Sequence, residues 1–280
     1  MTARVDAHQH FWSVARGDYG WLTPETGCIY RDFGPADLAP DLAAAQIDCT
    51  VLVQAAPTDA ETRFLLNIAA STPFVSAVVG WADLTATDAP DRLARLAEHK
   101  VFRGVRPMLQ DIPDPEWILG KQLEPALRAM AELRLCFDAL VTPAHLRPIL
   151  TLVEQHPALR VVIDHGGKPP IRSGTSLHWA NEMRLLARES ATHCKLSGFV
   201  TEAPADWQTD DLRPYLDHLV DCFGFERLLW GSDWPVVEMA GGYGRWHDAA
   251  CACLAGLTVK ERQRIFGLNA SRFYGFESAM

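Results

Sequence analysis

Eight short apolar or β-branched runs recur along the 280 residues, each followed by a stretch with a helical pattern. They are RVDAH (4–8), CTVLVQA (49–55), VSAVVGW (75–81), VFRGVRP (101–107), LCFDALV (135–141), RVVIDHG (160–166), CKLSG (194–198) and RLLWGSD (227–233). Between them lie segments such as DAPDRLARLAEH (88–99) and QLEPALRAMAELR (122–134), whose apolar residues fall on one helical face. Several runs are apolar almost throughout, as parallel strands covered by helices require. Eightfold strand–helix alternation predicts an α/β chain folded as one (β/α)8 TIM barrel over residues 1–280. An open doubly wound sheet would carry a Gly-rich nucleotide loop after its first strand, and this chain has none.

The C-terminal ends of the strands of such a barrel ring one mouth, where active sites form. The residues at those ends are His8 and His10, Gln54, Trp81, Arg106, Asp138, His165, Lys195 with Ser197, and Asp233. Residues i and i+2 of a strand share a face, so His8 and His10 point into one space. Two imidazoles aimed at one point begin a hydrolytic or metal site.

Composition narrows the partners. The net charge is −9, with no block of five or six like charges, which argues against nucleic acid or a membrane surface. No apolar run reaches a membrane span, and no basic segment followed by an apolar stretch opens the chain, so no secretory signal is expected. The seven cysteines are scattered; Cys49, Cys136 and Cys194 lie in apolar runs, and Cys251 and Cys253 in a helix-like Ala-rich stretch. This predicts reduced thiols and a cytoplasmic protein. A small-molecule substrate is the expected partner, and association into oligomers stays open.

DAHQHFW, VVGWADL, RGVRPMLQD, IDHGGKP, CKLSGFVTEA and LLWGSDWPV together resemble the amidohydrolase-related TIM-barrel hydrolases. The similarity is to their sugar-lactone hydrolase branch, which includes L-fuconolactonase-like and L-rhamnonolactonase-like enzymes. The segment IFGLNASRFYGF (265–276) matches the branch's last helix. The resemblance implies a first-strand His-x-His, a sixth-strand histidine and an eighth-strand aspartate, here His8, His10, His165 and Asp233. Many relatives add a fifth-strand histidine and a fourth-strand bridging lysine or glutamate. Here the fifth strand has Phe137 and Asp138 and the fourth has Arg103 and Arg106. A guanidinium has no lone pair to bridge metals, so a binuclear site is not expected. A single Zn2+ on His8, His10 and Asp233 remains chemically allowed. The resemblance implies that no cofactor is strictly required.

The expected reaction is hydrolysis of a sugar-acid lactone. Asp233, its pKa raised by loss of solvent, serves as general base, while His8, His10 and His165 donate to the carbonyl oxygen. Arg106, Lys168 and Lys195 add positive charge. Arg31, Gln54, Asp138 and Ser197, interleaved with Trp12, Trp81 and Trp234, are the expected wall for a polyol ring. The long segment after the first strand, with Trp12, Tyr19, Trp21, Tyr30, Arg31 and Phe33, either covers the mouth or packs on the rim, and EMAGGYGRW (238–246) has the same two readings. The competing functions are a metal-dependent decarboxylase of an aromatic or unsaturated acid, a lactone isomerase on the same barrel, and a barrel that only binds sugars.

Overall fold

In the computed structural model, which describes residues 3–174 and 176–276, eight parallel strands stand in sequence order. They are β1 (Val5–Gln9), β2 (Cys49–Val53), β3 (Val75–Gly80), β4 (Phe102–Val105), β5 (Cys136–Ala139), β6 (Arg160–Ile163), β7 (His193–Leu196) and β8 (Leu228–Trp230). Helices Pro35–Ala45, Asp59–Ala70, Ala89–Ala97, Glu124–Glu132, Leu146–Gln155, Leu177–Glu189, Thr209–Phe223 and Tyr243–Cys253 follow the strands in turn. The sheet is a nearly closed (β/α)8 barrel, as the strand–helix recurrence predicts.

The strand pattern separates two apolar layers. Small and β-branched residues such as Ala7, Val51, Val53, Ala77, Val79 and Val162 pack with one another and with Ala270, Phe273 and Tyr274 of helix Asn269–Tyr274. Their neighbours Leu52, Val78, Phe102, Phe137 and Cys194 belong to the larger layer that includes the surrounding helices. A short helix therefore seals the barrel end away from the mouth. No helix among the described residues is long and apolar enough to cross a membrane.

Closure falls next to the site. β1 shifts register against β2, three steps from Asp6 to Gln9 matching two from Thr50 to Leu52. Such a bulge bends the strand and re-aims its side chains. The Asp6 carboxylate braces it, accepting from the backbone N–H groups of His8 (3.1 Å) and Ser232 (2.8 Å). The segment after β8 then joins β1, with Asp233 N–H donating to His8 O (2.8 Å) and His10 N–H to Trp234 O (2.7 Å). Gly231 permits the approach, since a Cβ there would stand 2.7 Å from His8 Cβ.

Candidate active site

Three imidazoles converge on one carboxylate oxygen. Asp233 Oδ1 lies 3.3 Å from His10 Nε2, 3.7 Å from His8 Nε2 and 3.9 Å from His165 Nε2. All four residues are buried. Asp233 and His165 hold left-handed backbone angles, φ 61° and 54°, where the chain turns sharply off β8 and β6 and aims both side chains inward. His10 Nδ1 donates to Val53 O at 2.8 Å, and His165 Nδ1 shares a 2.9 Å hydrogen bond with Ser197 Oγ. Gly198 packs so closely on His165 that a Cβ would meet its Nδ1 at 2.5 Å.

Electrostatics correct one expectation. Burial alone would raise the Asp233 carboxyl, but the surrounding imidazoles of His165, His10 and His8 together outweigh it, so its pKa lies well below the usual carboxylate range. Burial pushes the other way on the bases: His165 is lowered to about 4, and His8 and His10 are also lowered. At neutral pH the site therefore holds an ionised carboxylate among neutral imidazoles. Because His10 spends its N–H on Val53 O, its bare Nε2 faces the bare Asp233 oxygen. A water hydrogen or a cation between them removes that repulsion. Ligand atoms of His8, His10 and Asp233 lie within 4.8 Å of one another, and this nitrogen–nitrogen–oxygen set suits a single divalent ion. A metal is thus compatible with the site.

Above this cluster opens a cavity of about 310 Å3. His10, Arg106, His165, Lys168 and Asp233 line it, with Gln110, Asp111, Thr201 and Glu202 as further polar groups. Trp21, Ala55, Met108, Leu140, Val236 and Met239 form the apolar part. A larger cavity, about 570 Å3, lies at the opposite end of the barrel around Arg160, His193 and Phe273, and contains none of the strand-end residues.

The predicted wall needs revision. Arg31 is exposed and paired with Asp37, outside the cavity. Gln54 is buried, donating to Arg106 O at 2.7 Å. Trp12, Trp81 and Trp234 do not line the cavity; Trp12 is core, donating to Arg31 O, and Trp234 packs on Phe11 and Phe33. The indole at the mouth is Trp21, tethered through its ring N–H to Ala55 O at 2.8 Å and 38% exposed. Thus the long loop packs its aromatics on the rim and sends one residue into the cavity. The 238–246 segment is likewise anchored, with Trp207 donating to Ala240 O, and only Met239 of it reaches the cavity.

Asp138, Lys195 and Ser197 are fully buried, beneath the cavity rather than on its wall. Lys195 Nζ lies 2.6 Å from Asp138 Oδ2 and 2.9 Å from Asp164 Oδ1. Burial would lower the Lys195 ammonium, but the two carboxylates outweigh it and raise its pKa. Asp164 Oδ1 also sits 3.4 Å from His8 Nδ1, and Asp164 Oδ2 3.4 Å from Arg106 Nη1. Asp164 is the main residue that sequence reasoning missed. Its signal was its place beside His165 at the end of the sixth strand. Thr201 and Glu202 were missed as well, although they end the CKLSGFVTEA segment.

Comparison with known proteins agrees with this geometry. Residues 5–276 match the amidohydrolase family. An L-fucono-1,5-lactonase of Burkholderia ambifaria is 49% identical over 280 residues, covering 98% of this chain and 96% of the relative. Another of that name, from Burkholderia multivorans, is 36% identical, covering 97% and 95%. Among solved structures, an amidohydrolase from Burkholderia multivorans with bound zinc superposes with a TM-score of 0.93 at 32% identity, covering 98% of this chain and all of that one. With a family match across almost its whole length and near-complete overlap with these relatives, the chain belongs to the amidohydrolase family.

Proposed function

We propose that the protein hydrolyses a sugar-acid lactone to the aldonate, with L-fucono-1,5-lactone as the leading substrate. The observation that carries this reading is the convergence of three imidazole nitrogens on Asp233 Oδ1 at the base of a cavity of sugar size. The names of the two Burkholderia relatives support the substrate.

Asp233 accepts a proton from a water held between it and His10, and the water oxygen attacks the ester carbon. Arg106 and Lys168, both on the cavity wall, face the negative charge that develops on the carbonyl oxygen. Ring opening breaks the bond to the ring oxygen, which takes the proton back from Asp233, and the remaining water proton passes to solvent as the carboxylate forms. Trp21, Met108 and Leu140 offer apolar surface to the CH faces of the ring; Gln110, Thr201 and Glu202 offer partners to its hydroxyls. Asp138, Lys195 and Ser197 act from beneath by holding His8 and His165 rather than by touching substrate.

A divalent ion held by His8 Nε2, His10 Nε2 and Asp233 Oδ1 would supply a Lewis acid and lower the pKa of a bound water. The zinc-bound structural relative favours such occupancy. Two features favour turnover without it. A lactone is an activated ester, and the Arg106 guanidinium, 3.3 Å from His8 Nε2, already places a cation there. Free cysteines throughout the described chain fit a reducing cytoplasm.

The test is a panel of five- and six-membered aldonolactones with acid release followed by indicator, repeated after exhaustive chelation. Turnover of L-fucono-1,5-lactone that survives chelation is the expected result. Absence of turnover across the panel removes the lactonase reading; loss on chelation, restored by one equivalent of Zn2+, removes only metal independence.

A further inference from the structure

The floor of the site contains a cation site filled by the chain itself. Lys195 Nζ is surrounded by Asp138 Oδ2 at 2.6 Å, Asp164 Oδ1 at 2.9 Å and His8 Nδ1 at 3.1 Å. All four side chains have no solvent exposure. Two carboxylate oxygens and an imidazole nitrogen are also the donors that borderline divalent ions take. His8, Asp164 and His165 moreover present ligand atoms within 4.8 Å of one another, a second potential ion site directly behind the first. The Lys195 ammonium stands among Asp138, Asp164 and His8, donating to Asp138 Oδ2, pairing in charge with Asp164 Oδ1 and lying beside His8 Nδ1.

The site is also anchored from below. Tyr274, on the helix that seals the barrel, donates its hydroxyl to Asp138 Oδ2 at 2.7 Å. A continuous chain of contacts thus runs from Tyr274 through Asp138, Lys195 and Asp164 to His8, and from His8 to Asp233 in the mouth. We propose that Lys195 is a built-in cation standing in a metal-type site of Asp138, Asp164 and His8, and that it is a positioning residue for His8. It touches no substrate: it fixes the imidazole from behind while Asp233 acts in front. Partners of this kind behind a reacting imidazole typically change activity by about 10- to 100-fold when removed.

Two readouts test the two halves. Zinc per chain is counted for the wild type and for Lys195→Ala after equilibration with zinc and removal of free metal. The variant is expected to hold one equivalent more than the wild type; a folded variant with the wild-type count overturns the cation site. This measurement does not depend on the lactone reading. The positioning role rests on that reading, and is tested only with a lactone that the wild type turns over. There Lys195→Ala, assayed without added metal, should lose about 10- to 100-fold in kcat with KM changed little. Tyr274→Phe removes a single hydroxyl and covers the case in which Lys195→Ala does not fold. It should lower kcat several-fold, again at unchanged KM. A folded Lys195→Ala with wild-type kcat overturns the positioning role. Should that variant not fold, wild-type kcat in Tyr274→Phe does the same. A folding failure of Lys195→Ala that zinc reverses supports the cation site, and one that zinc does not reverse counts against it.

Discussion

Asp233 combines a buried position with an anion held far below its ordinary pKa, because three imidazole edges surround one oxygen. Asn keeps the shape and one acceptor but cannot take a proton. Asp233→Asn should therefore lower kcat by about 10³-fold or more, typical of losing a general base together with the water it orients. Its melting temperature should stay close to that of the wild type. If the variant retains a third or more of wild-type kcat, Asp233 is not the base. The pH profile follows from the direction of the shift. A base must be ionised, and a depressed pKa keeps it ionised as pH falls, so kcat/KM should stay level between pH 7 and 5. A limb in that window would assign the base to a group of higher pKa.

At the scale of the elements, the site depends on how β8 meets β1. The bulge in β1 and the Asp6 brace set the direction of His8, and Gly231 lets the two segments touch. In Gly231→Ala the new methyl would lie 2.7 Å from His8 Cβ and 3.0 Å from its backbone nitrogen. Neither neighbour is a flexible side-chain end, so the strands must separate. Overpacking of this kind costs about 1–3 kcal/mol. Gly231→Ala should melt several degrees lower and lose kcat with it, whereas Gly244→Ala, open on all sides within a helix, should match or exceed wild-type stability. Equal melting of the two variants would show that the junction tolerates the methyl. The bulge was not legible in VDAHQHFW: alternation correctly predicts that His8 and His10 share a face, but a register shift depends on the neighbouring strand.

For the whole molecule, several histidines are buried as neutral rings, and this sets the response to acid. His193, at the barrel end away from the mouth, has no hydrogen-bond partner for its Nδ1 among the described residues, and burial lowers its pKa to about 4. In the unfolded chain the ordinary value is about 6.5. Between these values the unfolded state binds more protons, so stability falls as pH drops from 6.5 to 4. A shift of this size corresponds to about 3 kcal/mol. Urea denaturation at pH 7 and pH 4 should show that His193→Asn loses about 2–3 kcal/mol less over this interval than the wild type. A constant offset reflects lost packing on Phe273; equal pH dependence in the two proteins would mean that His193 titrates normally.

Apolar runs in the sequence were enough to place the eight strands and their order around a barrel, and the strand ends named the four groups that meet at one point, His8, His10, His165 and Asp233. Those properties are local: apolar runs alternate with helical stretches, and the residue ending each run lies at one rim. The sequence also carried the departures at Phe137 and Arg106 from the fifth- and fourth-strand ligands that many relatives have. Depth and company came only with the folded chain. His8 and Asp233 are far apart in the chain, and nothing local tells that their atoms lie 3.7 Å apart, or that neighbouring imidazoles reverse the effect of burial on the carboxyl. Nor does a strand end say whether its side chain faces the cavity or the floor. Asp138 and Lys195 face each other across the barrel interior because a buried charge is stable there only beside its counter-charge, and Trp21 takes the place at the mouth expected of Trp12 and Trp234, which are buried in the core.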